Sequence, residues 1–146
     1  MSAPLRVGIA GLGTVGAGVV KAIRANSDLL TKRCGRPIEI VGVSARDRTK
    51  DRGVSLDGLA WHDDPLALAS DSNVDVVVEA IGGEAGVAKQ LAEDSFDGGK
   101  AFVTANKALI ALHGIDLSAR AHLAGLALRF EAAVAGGIPV IKGISE

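Results

Sequence analysis

Leu5, Val7 and Ile9 alternate with polar or small residues, and Val15, Val19, Ala22 and Ile23 then recur at helical spacing. A change of hydrophobic period from 2 to 3.6 predicts a strand, a glycine turn and a helix over residues 14–25. Asn26, Ser27 and Asp28 end that helix or cap a short one beyond it, and residues 32–37 read as a loop. The β-branched run 38–43 predicts a second strand, buried and parallel to the first. Residues 46–57 are charged and carry glycine, so they predict an exposed connection, with a short third strand near 59–61.

The acidic pair Asp63 and Asp64 before Pro65 predicts a helix start, with a cap followed by proline at the first helical position. Residues 74–81 predict another buried strand, the fourth, running into the pair Gly82-Gly83; a helix over 84–94 and a turn at 97–99 follow. Residues 101–104 predict the fifth strand. Residues 108–112 predict a short helical turn stopped by Gly114, and 117–124 a separate helix capped by Asp116 and stopped by Gly125. Residues 126–130 predict the sixth strand. Strands alternating with helices imply an α/β fold with a doubly wound, mostly parallel sheet of Rossmann type in the order 3-2-1-4-5-6.

Composition narrows the setting. The chain has 146 residues, 48% hydrophobic, and a mean hydropathy of +0.31, which suits one folded domain with a real core. Its formal charge of -1 provides no global attraction to nucleic acid or to anionic membranes, so neither is an expected partner. No apolar run approaches the roughly 20 residues of a membrane span. The first residues enter the first strand directly, leaving no space for a signal peptide, so a cytoplasmic location is expected. The single cysteine, Cys34, cannot form an internal disulfide and reads as an incidental surface thiol. Ile138, Val140, Ile141 and Ile144 close the chain with nothing after them to cover them, so residues 1–138 read as a domain and 139–146 as the start of a connection to a missing one.

Candidate chemistry gathers at the strand ends. Gly11, Gly13 and Gly16 have the spacing of a dinucleotide-binding fingerprint, in its proper place between strand and helix. The first permits the tight turn, the second lets the backbone approach a pyrophosphate, the third lets the helix pack on the strand, and the helix amides face the anion. Ligands of open α/β sheets bind where the strand order reverses, which places 10–15, 44–46, 80–83 and 104–107 around one crevice. Gly11, Leu12, Gly13, Thr14, Val15, Gly16, Ile81, Gly82 and Thr104 are therefore candidate cofactor contacts. The second strand ends in Ser44-Ala45-Arg46, without the acid that would bond a ribose hydroxyl, so NADP is favoured over NAD and Arg46 is the candidate for its phosphate. Lys107 follows the fifth strand and can point to a substrate carboxylate or hydroxyl, to the cofactor's ribose, or simply into solvent. Glu79 can anchor backbone amides at the glycine pair, and Glu131 can bind a cation or cap the following turn. His62, His113 and His122 sit in separate elements with no triad partner and read as surface or cap residues; His62, Asp63 and Asp64 are adjacent, which argues against a shared metal.

Four blocks together resemble the nucleotide-binding half of the homoserine dehydrogenases: residues 11–16, residues 78–83, Thr104-Ala105-Asn106-Lys107-Ala108-Leu109, and residues 131–139 from Glu131 to Pro139. The resemblance covers nearly the whole chain, and the last two blocks are the specific ones. It implies NAD(P)-dependent interconversion of L-aspartate 4-semialdehyde and L-homoserine, a step toward threonine, methionine and isoleucine, in a full-length enzyme that is a homo-oligomer. It implies a catalytic Lys107 that contacts cofactor and substrate. It also implies that oxygens of Glu131, Val134, Gly136 and Ile138 hold a structural sodium ion, as in some members. The family's substrate domain is missing, so the fragment alone should not turn over. Two other readings stand beside this one: a different two-domain dehydrogenase, and a non-catalytic nucleotide-sensing module.

Overall fold

A computed structural model describes residues 2–83 and 86–135. In chain order it contains β1 (Leu5–Ala10), α1 (Thr14–Ala25), α2 (Ser27–Cys34), β2 (Ile38–Ser44), β3 (Ala60–His62) and α3 (Ala67–Ser70). Then come β4 (Val76–Glu79), α4 (Val87–Asp97), β5 (Ala101–Thr104), α5 (Lys107–Ala124), β6 (Leu128–Arg129) and α6 (Glu131–Ala135). The strands form one sheet in the order β3-β2-β1-β4-β5-β6, every pairing parallel, which is the expected doubly wound topology.

Side chains alternate across this sheet and make a core on each face. Val7, Ile9 and Val43 join Leu12 and Val20 on the α1 face. Ala10, Val77 and Phe102 join Leu68, Leu91, Phe96, Leu109 and Leu117 on the face covered by α3, α4 and α5. α4 buries Ala88, Leu91, Ala92, Ser95 and Phe96, one stripe at helical spacing. Phe96 meets Phe102 edge-on with centroids 6.1 Å apart.

Several boundaries differ from the sequence expectations. α2 continues through Lys32 and Arg33 to Cys34, and the loop starts at Gly35, whose φ of 75° ends the helix. Two basic residues in that last turn suit the negative end of the helix dipole. Asp64 and Pro65 form a turn, not a helix start: the Asp64 carboxylate accepts from the Leu66 amide, and α3 begins only at Ala67. α4 starts at Val87 and runs on to Asp97, while Glu84 lies outside the described residues. The split at Gly114 does not exist. α5 is continuous from Lys107 to Ala124, and Asp116 lies within it. A helix-interior glycine costs about 1 kcal/mol, but Leu109, Leu117 and Ala121 bury against the core on both sides of it and carry the helix through. Residues 139–146 lie outside the described residues.

At the amino ends of the central strands, Arg6 and Asp75 clip β1 to the approach of β4. The Arg6 guanidinium donates to both Asp75 oxygens at 3.1 and 2.9 Å, and the Arg6 amide donates to Asp75 Oδ2 at 2.9 Å. These bonds, the guanidinium's first, hold the Asp75 carboxyl below its ordinary value of 3.8. Asp71 is lowered too, by the Asn73 amide and then by His62 at 3.0 Å. A depressed folded-state value means stability that is complete above the unfolded-state value and is lost as pH falls through the folded-state value. Thermal melts taken downward from neutral pH should therefore show a midpoint that drops below about pH 4. Asp75→Asn should start lower and flatten that acid limb; an unchanged limb would show that the clip does not contribute.

Candidate functional site

The site begins at the carboxyl end of β1. Gly11 has φ +93°, and a Cβ there would come within 2.7 Å of the Ala80 carbonyl oxygen. A Cβ on Gly16 would overlap the Gly11 carbonyl oxygen, so only hydrogen lets α1 sit this close to the turn. Gly13 is different. Its backbone is extended (φ -72°, ψ -159°), open to any residue, and a Cβ would meet nothing within 4 Å. No contact among the described residues demands glycine at that position, which fits a requirement imposed by a ligand. Gly13 is also the N-cap of α1 with no side-chain cap, so the first-turn amides are free to face an anion. Thr14 and Val15 are exposed beside it, whereas the Leu12 side chain is buried in the core.

β4 supplies the second wall. Glu79 has no exposed surface, and its Oε1 accepts from the Ile81 amide at 2.7 Å and the Gly82 amide at 3.0 Å. Its Oε2 accepts from the Thr104 hydroxyl at 2.6 Å. That hydroxyl in turn accepts from the Asn106 amide at 3.0 Å. Asn106 continues the network, donating from its side chain to the Gly83 carbonyl at 2.6 Å and accepting from the Leu109 amide at 3.0 Å as the N-cap of α5. The expected anchoring by Glu79 is present at Gly82, with Ile81 in place of Gly83 as the second amide. Thr104 is buried with its hydroxyl engaged in this scaffold, while Ile81 and Gly82 are exposed at the crevice. Val15, Glu79, Ala80, Ile81, Gly82, Ala105 and Asn106 line a cavity of about 150 Å³. A larger open groove of about 310 Å³, between α1 and the start of β2, lies away from these strand ends and gathers no comparable donor set.

Lys107 is the first residue of α5 and is exposed, with no salt-bridge partner among the described residues. Arg46 is exposed just past the end of β2. Between them, two residues were missed by sequence reasoning: Asn106, which caps the helix that presents Lys107, and Arg52, whose Nε donates 3.0 Å to the Leu12 carbonyl in the glycine turn. The pattern Thr-x-Asn after a strand signals the first of these; nothing local signals the second. The expected ion ligands are only partly visible. Glu131 and Val134 lie in α6, and Gly136 and Ile138 are outside the described residues. Of the histidines, His62 pairs with Asp71, and His113 and His122 lie on α5. No helix among the described residues is long and apolar enough to cross a membrane.

A parallel sheet in this order, with a glycine turn into an uncapped helix at its switch point, defines a dinucleotide-binding domain of the Rossmann class. Residues 11–131 match the family described as homoserine dehydrogenase, NAD binding domain. The chain is 43% identical over 143 residues to homoserine dehydrogenase of Pseudomonas aeruginosa, and 42% over 142 residues to that of Bacillus subtilis. These alignments span 98% and 97% of this chain but 32% and 33% of the relatives. A solved homoserine dehydrogenase from Thiobacillus denitrificans superposes with a TM-score of 0.90 at 41% identity, covering 99% of this chain and 33% of that one. The chain belongs to the family of homoserine dehydrogenase NAD-binding domains and spans about a third of the relatives it matches.

Gly13 and Gly16 give separable expectations. Gly13→Ala should change stability by less than about 1 kcal/mol yet weaken dinucleotide binding by about tenfold or more. Gly16→Ala should cost about 3 kcal/mol or more, because the overlap is with backbone. Thermal melts and cofactor titrations on both variants check this; Gly13→Ala with full affinity would overturn the assignment of its open edge to a ligand.

Proposed function

We propose that this chain is the NADP-binding part of a homoserine dehydrogenase, which interconverts L-aspartate 4-semialdehyde and L-homoserine. NADP supplies the nicotinamide carbon that takes or gives the hydride. In this reading Gly13 and the first-turn amides of α1 hold the pyrophosphate. The loop at Ile81 and Gly82 walls the cavity, and Arg46 meets the ribose phosphate with paired donors.

The observation that carries the reading is the placement of Lys107. A cation in the first turn of a helix opposes the helix dipole by about 0.3–1 kcal/mol, and α5 is 18 residues long. Lys107 stands at that unfavourable end, next in the chain to Asn106 of the cavity wall, with no salt-bridge partner among the described residues. Such an ammonium suits an anion brought in by the substrate, and it can steady the hydroxyl oxygen as charge develops there. A sensing module would need the glycine turn but not this lysine. A structural sodium ion at Glu131, Val134, Gly136 and Ile138 belongs to the same reading; the support is the resemblance of the block from Glu131 to Pro139 and the preference of hard cations for oxygen ligands.

In the full-length protein, Lys107→Ala should lower kcat by about a hundredfold while shifting NADPH affinity less than about threefold. The same change should leave stability equal or slightly raised, since an unfavourable charge is removed. Normal turnover would reject the catalytic role. Arg46→Ala should weaken NADPH by about tenfold and leave NADH nearly unchanged; equal effects on both would reject the phosphate contact.

A further inference from the structure

We infer that Arg52 is the positioning residue for cofactor selection, locking the basic loop after β2 onto the glycine turn so that Arg46 is held ready for a ribose phosphate. The inference rests on the reading of Arg46 given above.

One guanidinium reaches three backbone carbonyls from different parts of the chain. Arg52 Nε donates to Leu12 O at 3.0 Å, Nη1 to Lys50 O at 3.1 Å and Nη2 to Asp47 O at 2.7 Å. Leu12 lies between Gly11 and Gly13, and Asp47 directly follows Arg46. The glycine turn and the chain beside Arg46 are therefore tied to one rigid planar group, an arrangement a lysine ammonium cannot reproduce.

The rest of the loop is arranged around this tie. The Asp47 carboxylate accepts from the Thr49 amide at 2.9 Å and hydroxyl at 2.7 Å, and Asp51 accepts from the Gly53 amide at 2.8 Å. The guanidiniums of Arg48 and Arg52 lie over the Trp61 ring, 5.6 and 5.8 Å from its centroid. Trp61 is held in β3, with its indole N–H donating to Asp63 at 3.0 Å. Residues 46–52 contain four basic and two acidic side chains, so the segment carries excess positive charge. Without internal ties such a segment would repel itself into a flexible loop, and ordering it would subtract from the affinity for a phosphate. Three of the five N–H donors of Arg52 go to backbone oxygens, and it is through these that the residue sets the geometry of the loop.

The test compares adenosine 2′,5′-bisphosphate with adenosine 5′-monophosphate, binding each to the wild type, Arg52→Lys, Trp61→Leu and Arg46→Ala by titration calorimetry. Arg52→Lys keeps the charge and loses the fork; it should weaken the bisphosphate by about tenfold and the monophosphate by less than about threefold. Trp61→Leu leaves every arginine in place and should shift the ratio in the same direction by about threefold; it decides the matter if Arg52→Lys does not fold. Equal losses for both probes, or none, would make Arg52 a merely structural residue and overturn the inference. A wild type without preference for the bisphosphate, or an Arg46→Ala that keeps the preference, removes the phosphate reading itself. Arg46→Ala that loses the preference while Arg52→Lys keeps it removes the positioning role alone.

Discussion

A carboxylate with no exposed surface is costly unless its oxygens find donors, and Glu79 finds three: two amides of the loop that follows it and the hydroxyl of Thr104 on the neighbouring strand. The site is organised around this group. Through the amides it shapes the turn at Ile81 and Gly82. Through Thr104 and Asn106 it reaches the start of α5 and fixes where Lys107 stands. A hydrophobic residue at position 79 would leave two loop amides and a hydroxyl without this partner, at a penalty of about 1–3 kcal/mol for each group that stays buried.

The division of labour around the crevice follows from this scaffold. β4 and β5 provide walls whose polar groups bond one another, while the β1 turn leaves its own amides open through the bare edge of Gly13. The Glu79 carboxylate therefore does not compete for the helix amides of α1. The loop after β2 closes the same edge from the other side, because Arg52 ties it to Leu12. Three separate strand ends are brought to one position, with backbone geometry set by the side chains of Glu79, Asn106 and Arg52.

Much of this was legible in the residues. The change of period around the glycines, the apolar strands and the handedness of parallel crossovers leave few arrangements, and the strand order agrees with the expected one. Glu79 stood out as an acid at the end of an apolar run, and an anchor for the amides beyond it was one role open to it; the amides it holds are those of Ile81 and Gly82. Gly114 was misread because a glycine in an apolar helical segment resembles a stop, and only burial of Leu117 and Ala121 from another element shows otherwise. Asp64-Pro65 carried the letters of a helix start but bonds as a turn. Arg52 was invisible for a different reason: its contact with Leu12 spans 40 residues, and within a charged run it looks like any solvated cation. Long-range side-chain to backbone ties leave no periodicity.

Glu79 shapes the crevice before any cofactor arrives. The most direct measurement is amide hydrogen exchange at Ile81 and Gly82 in the ligand-free protein. Both lie at the surface, with Ile81 38% exposed, so without the carboxylate their amides would exchange freely. The structure predicts exchange at least about tenfold slower than in an unstructured peptide. Exchange of both amides at the unstructured rate would contradict it.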